Sequence, residues 1–164
     1  VRRVGTIALV HDTLSQGLDE TVDFDEVADR AARAVVEVAR LGRPVQVVRV
    51  GSFGRVRAED ATALAMVLSE LLQNAAEHGL ADRGGTIDLA AHRATGADGA
   101  EELTVSVTDD GVGLPPGFRP VLAGLGTRIV TSLVQDLQGR IRWENSSPHG
   151  TRVVFVARLR PLER

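Results

Sequence analysis

Between Leu103 and Val107 the chain alternates Leu, Val, Val with Thr and Ser, and after Thr108 it places Asp109 where the next apolar residue is due. Period-two geometry puts Leu103, Val105, Val107 and Asp109 on one face, so the pattern predicts a strand whose buried side ends in an acid. A buried carboxylate is costly unless hydrogen-bond donors meet it, and no basic residue stands close by in sequence. Two solutions fit. One is a strand closed by an Asp-Gly turn; the other is a pocket whose ligand supplies the donor, as the exocyclic amino group of adenine would. Gly111 and Gly113 follow directly and offer backbone without Cβ atoms, able to turn sharply and to approach a ligand closely.

At 164 residues the chain suits one ordinary domain with a short appendage. A hydrophobic fraction of 43% supports a core, but with aromatics at 3% that core must be aliphatic. The formal charge of -3, with no basic stripe, excludes nonspecific nucleic-acid or anionic-membrane binding as an expectation. All the basic residues are Arg, and the lack of Cys removes disulfides and thiolate metal sites from consideration. No apolar run is long enough for a membrane span. Val1-Arg2-Arg3 has neither an initiator Met nor a signal-peptide pattern, as expected of a piece of a longer cytoplasmic protein.

The spacing of Val4, Ile7, His11, Leu14 and Leu18 predicts an amphipathic helix over 1–18 that needs a partner. A second helix is expected over 24–40, capped by Asp23 or Asp25 and burying Val27, Ala31, Val35 and Val38. Further expectations are a strand over 45–50, a long helix over 58–78, and a strand over 86–93 with Ile87, Leu89 and Ala91 inward. A hairpin loop over 94–102, rich in Gly, Ala and Asp, joins it to the strand that ends at Asp109. A loop over 111–123, a helix over 126–137 and strands over 140–145 and 152–159 complete the chain, with Trp143 and Phe155 read as core and His92 and His149 as surface residues. Hairpin-linked strands imply an α+β two-layer sandwich with a mostly antiparallel sheet and helices on one face.

On the long helix, Leu64, Leu68, Leu71, Leu72 and Ala75 share one side, and Glu70, Asn74 and Glu77 fall together on the other. That polar stripe is either a solvated face or the start of a site. Its Glu70-x-x-x-Asn74 spacing sets a carboxylate base one turn from a neutral amide oxygen, which is a serviceable Mg²⁺ ligand. The segment Ser69-Glu70-Leu71-Leu72-Gln73-Asn74-Ala75-Ala76-Glu77-His78-Gly79 resembles the N box of the GHKL ATPases, the group that holds gyrase, Hsp90, MutL and histidine kinases. The other boxes follow in order: Asp109-Asp110-Gly111-Val112-Gly113 resembles G1, Gly124-Leu125-Gly126-Thr127-Arg128 resembles G2, and His149-Gly150-Thr151 resembles the closing Gly-Thr element. The likeness is to a histidine-kinase catalytic domain of the HisKA_2 type, as in soluble actinobacterial sensor kinases. It covers roughly residues 23 to 160.

The resemblance implies that 1–22 is the end of a dimerisation helical segment and 23–164 the catalytic ATP-binding domain. It implies Mg²⁺-ATP as the nucleotide, with Asp109 accepting from the adenine amino group, Asn74 coordinating Mg²⁺, and Glu70 polarising the attacking group or ordering a water. Gly111 and Gly113 would line the adenine side. Gly124, Leu125 and Gly126 would bring the lid and a helix N-terminus to the phosphates, and Thr151 would support the adenine end. The implied partners are ATP or ADP, a response-regulator receiver domain and the protein's own dimerisation domain in a homodimer. The γ-phosphoryl would pass to a histidine upstream of Val1 and then to a regulator aspartate. His11 lacks the flanking pattern of that acceptor.

Three departures bear on the site. Many histidine kinases carry Lys where this chain has Glu77, so phosphate charge must be met by Mg²⁺, His78, Arg128 or main-chain N–H groups. Asp110 stands where Asn is usual, and either alters metal affinity or faces solvent. The lid over 114–123 is short, with Pro115, Pro116 and Pro120, and Phe118 is either its anchor or simply a buried loop aromatic. An anti-sigma-factor serine kinase and a non-catalytic interaction module of the same superfamily are the alternatives.

Overall fold

The computed structural model describes residues 21–39, 44–81 and 83–162. The helix expected over 1–18, with His11, lies outside them. The chain enters as β1 (Thr21–Asp23), α1 (Phe24–Ala39), β2 (Val45–Gly51), β3 (Arg55–Arg57) and α2 (Ala58–Asn74). A wide turn of π-helix (Ala75–Gly79) then leads to β4 (Gly85–Thr95) and β5 (Glu101–Asp109). A 3₁₀ turn (Pro120–Leu122), α3 (Leu125–Asp136), β6 (Arg140–Asn145) and β7 (Thr151–Leu159) follow. A five-stranded sheet runs β2-β4-β5-β7-β6, and β1 pairs with β3 in a small second sheet.

Alternation explains the packing. Ile87 and Leu89 of β4, Leu103 and Val105 of β5 and Phe155 of β7 point to one face and are all but inaccessible. The helices cover that face. Leu64, Leu68, Leu71 and Leu72 of α2 share a core with Val27, Ala28 and Ala31 of α1 and Val130 and Val134 of α3. Phe24 and Phe53, both fully buried, meet with ring centroids 5.1 Å apart and so tie the start of α1 to the loop after β2. This is the expected α+β two-layer arrangement, with a mixed sheet: β2 pairs parallel to β4, and the other neighbours are antiparallel.

Several local expectations need correction. Val38 is 75% exposed while Val35 is buried, so the apolar stripe of α1 outruns the surface it packs on by one turn. Asp23 is the α1 cap, accepting the Asp25 N–H at 3.2 Å, whereas Asp25 accepts from Ser52 Oγ and the Phe53 N–H. Thr21 and Val22 are paired with Arg57 and Val56. The hairpin loop is shorter than its composition suggests, because Thr95 still pairs with Glu101 and Ala94 with Glu102. The long helix stops being an α-helix at Asn74.

Candidate functional site

One face of α2 turns away from the core into a cavity. Glu70 is only 5% exposed, so of the two readings of its stripe the structure favours a site over a solvated face. Glu70, Asn74 and His78 recur at four-residue steps and line a cavity of about 900 Å³ between α2, the ends of β5 and β7, and the lid. Glu77 is exposed and stands outside that wall, so the acid at the usual lysine position does not face the cavity.

Asp109 forms the floor at the far end. It is 4% exposed, and its Oδ1 accepts the Gly111 N–H at 2.9 Å and the Thr151 N–H at 3.3 Å. Among the described residues nothing donates to Oδ2, and Asp109 lines the cavity. Burial pushes its carboxyl above the ordinary value of 3.8; the two N–H donors offset part of that shift, and the neighbouring Asp110 charge adds to it. A buried acceptor in a cavity wall, with two N–H donors on one oxygen and none on the other, suits a ligand that brings its own N–H.

The lid spans this floor. The Leu114 N–H donates to Asn145 Oδ1 at 2.8 Å, fixing the lid to the end of β6. Phe118, half-buried, faces Trp143 with ring centroids 6.3 Å apart, and both line the cavity. Trp143 is therefore a wall residue on the edge strand, whereas Phe155 is core as expected. Leu125, Gly126 and Thr127, the first turn of α3, complete the wall, with Gly124 at φ +112° as the cap. The first turn of a helix carries unsatisfied N–H groups, so this one brings potential anion donors to the cavity wall.

Of the residues singled out from sequence, Glu70, Asn74, His78, Asp109, Gly113, Leu125, Gly126 and Thr151 share the one cavity. Gly111 and Gly124 are not in its wall. Gly111 packs its backbone against the Gly79 carbonyl, and Gly124 sits free at the head of α3. Arg128 is exposed and outside the wall. Asp110 is exposed and points the other way, accepting the Thr86 N–H at 3.0 Å beside a second, shallower cavity that includes His149. Sequence reasoning missed Arg119. That lid residue is the arginine of the cavity wall, which it shares with His78. Nothing in the lid's irregular sequence signals its direction.

Among the described residues no cluster of three or more His, Cys, Asp or Glu is placed to hold a metal ion. Mg²⁺ does not require one, since it usually keeps waters and takes one or two protein ligands together with phosphate oxygens. The Asn74 amide beside Glu70 fits that donor set. No helix among the described residues is long and apolar enough to cross a membrane.

The sequence pattern of the histidine kinase-, DNA gyrase B-, and HSP90-like ATPases matches residues 59–161. The chain is 44% identical over 159 residues to the sensor histidine kinase PdtaS of Mycobacterium tuberculosis, covering 94% of this chain and 31% of that protein. Identity to the PdtaS of Mycolicibacterium smegmatis is 42% over the same shares. The histidine kinase domain of the Erythrobacter litoralis blue-light activated kinase superimposes with a TM-score of 0.78 at 27% identity, covering 96% of this chain and 73% of that one. The chain thus spans about a third of the length of the curated sensor kinases it matches.

Proposed function

Because the chain belongs to the family of histidine kinase-, DNA gyrase B- and HSP90-like ATPases, we propose that it is the ATP-binding catalytic part of a two-component sensor histidine kinase. In the complete protein it serves transfer of the ATP γ-phosphoryl to a histidine upstream of Val1, and from there to a response-regulator aspartate. The observation that carries the reading is buried Asp109, with no donor on its Oδ2 among the described residues, in the wall of the same cavity as Glu70 and Asn74. Relatives matched over 94% of the chain are sensor histidine kinases, which favours this over a serine kinase or a non-catalytic module.

On this reading Asp109 accepts the adenine amino group, with Thr151 and Gly113 at the same end. Asn74 is the protein ligand of Mg²⁺, which when bound neutralises phosphate charge. Leu125 and Gly126 offer main-chain N–H groups at the head of α3, which Gly124 caps, while Gly111 packs on the Gly79 carbonyl at the adenine end. Arg119 supplies cationic charge toward the phosphates, and His78 offers a ring N–H donor there. Glu70, nearly buried at the metal end, polarises the attacking nitrogen or orders a water. Catalysis by such a site rests on positioning and charge neutralisation.

Titration of the protein with ADP and ATP, with and without Mg²⁺, tests this beside Asp109→Asn. Binding should weaken about tenfold or more in the variant, the expected loss of a hydrogen bond to a charged acceptor. Unchanged affinity would remove the adenine assignment.

A further inference from the structure

Gly79 has a right-handed backbone, unlike Gly113 or Gly150, so nothing in its own conformation calls for glycine. In a helical turn glycine costs about 1 kcal/mol against alanine. The reason for a glycine lies across the cavity floor. The three atoms nearest to a Cβ at position 79 would all belong to the Asp109 carboxylate: it would overlap Oδ2, stand 2.5 Å from Cγ and lie 2.8 Å from Oδ1.

That carboxylate has no room to yield. Its single Oδ1 takes both the Gly111 and Thr151 N–H groups, so rotating it away breaks the bonds that orient it. The approach is locked from the other side as well. The Gly79 carbonyl accepts the Val112 N–H at 2.9 Å, and a Cβ at Gly111 would overlap that same carbonyl. What brings Gly79 there is the π turn after Asn74, closed by the Leu80 N–H donating to the Ala75 carbonyl at 2.8 Å. Such wide turns inside helices recur at functional sites.

We propose that Gly79 is a positioning residue for nucleotide recognition: its missing Cβ lets the π turn that continues the Asn74 helix close on Asp109, so one segment sets both the metal end and the base end of the site. The inference rests on the adenine role given above to Asp109.

Two measurements on Gly79→Ala test it. The first is a thermal cycle with Asp109→Ala, which removes the carboxylate atoms a new Cβ would meet. Gly79→Ala should lower the melting temperature by several degrees in the natural chain and leave it unchanged or raised in the Asp109→Ala background; equal losses in both backgrounds overturn the proposal. The second compares ADP with inosine diphosphate, whose C6 bears a carbonyl in place of the amino group. The natural chain should prefer ADP by about tenfold or more, and Gly79→Ala, checked as folded, should bring the ratio close to one with inosine diphosphate affinity little altered. A folded variant that keeps the preference overturns the proposal. Should the natural chain bind both alike or neither, the adenine role of Asp109 fails and the nucleotide half of the proposal with it, while the thermal cycle still decides whether Gly79 positions the carboxylate.

Discussion

Asp109 is buried as an acid, and its folded-state carboxyl titrates above its ordinary value of 3.8. Between those two values the folded chain holds a proton that the unfolded chain has released, so stability falls as pH rises through the window. The contribution is present in full below the unfolded value and is lost above the folded one. Removing the charge should reverse the trend: the melting temperature of Asp109→Asn relative to the natural chain should climb as pH rises through the carboxylate range. A difference that stays flat with pH would contradict the assignment. Nucleotide affinity should move oppositely, because the amino group of adenine needs the ionised acceptor. The burial of this residue was legible from period-two alternation alone. Its two N–H donors were not, since Thr151 lies forty-two residues away in sequence.

Arg119 shows what side-chain chemistry adds to that picture. The cavity wall carries two acids, Glu70 and Asp109, and a single arginine, Arg119, so Arg119 is the side chain whose charge most favours an entering polyphosphate. Arg119→Ala should therefore weaken ATP binding by roughly tenfold and leave adenosine binding almost unchanged. Isothermal titration with both ligands checks it, and raised salt should narrow the difference because the lid is open to solvent. Equal losses for adenosine and ATP would mean that Arg119 acts on the fold of the lid.

At the scale of elements, the strongest periodic segments were readable and their joints were not. Helical spacing placed α2 and located Glu70 and Asn74 on one side of it, yet the same spacing could not say whether that side met water or a lid. The π turn is invisible to a 3.6-residue template, and it holds both His78, in the wall, and Glu77, outside it. Strands as short as β1 and β3 offer no period to detect. Trp143 has the inward register of a core residue, but on an edge strand beside the lid that register points into the cavity. It is the chain's single tryptophan and faces Phe118 across 6.3 Å, so its fluorescence should report occupancy. Saturating ADP should shift or quench its emission with the midpoint found by calorimetry. Phe118→Ala should alter the unliganded spectrum; an emission insensitive to saturating ADP would place Phe118 and Trp143 away from the bound base.

For the whole molecule, the question is what holds the cavity's two layers at a fixed distance. The sheet contributes Asp109 and Thr151, and α2 contributes Glu70 and Asn74, so any slip of α2 along the sheet would separate base end from metal end. One joint lies at the opposite end of α2 from the site. Asp60, 2% exposed in the helix's first turn, accepts the Arg160 backbone N–H at 2.8 Å on one oxygen and its guanidinium at 2.6 Å on the other. The end of β7 is thereby pinned to the helix that carries the site, and the acid also sits well in the field of a helix N-terminus. Asp60→Ala removes the acceptor of both the part-buried Arg160 main-chain N–H and its guanidinium and should cost about 1–3 kcal/mol. Arg160→Ala keeps that main-chain bond but takes the guanidinium from a carboxylate that is only 2% exposed, so its cost should be smaller only by the main-chain bond. Urea denaturation of the two variants measures the order. If α2 is also located by this joint, Asp60→Ala should weaken ADP binding from the far end of the helix, whereas Arg160→Ala should not; equal stability losses in the two variants would show that the main-chain bond is not what pins the layers.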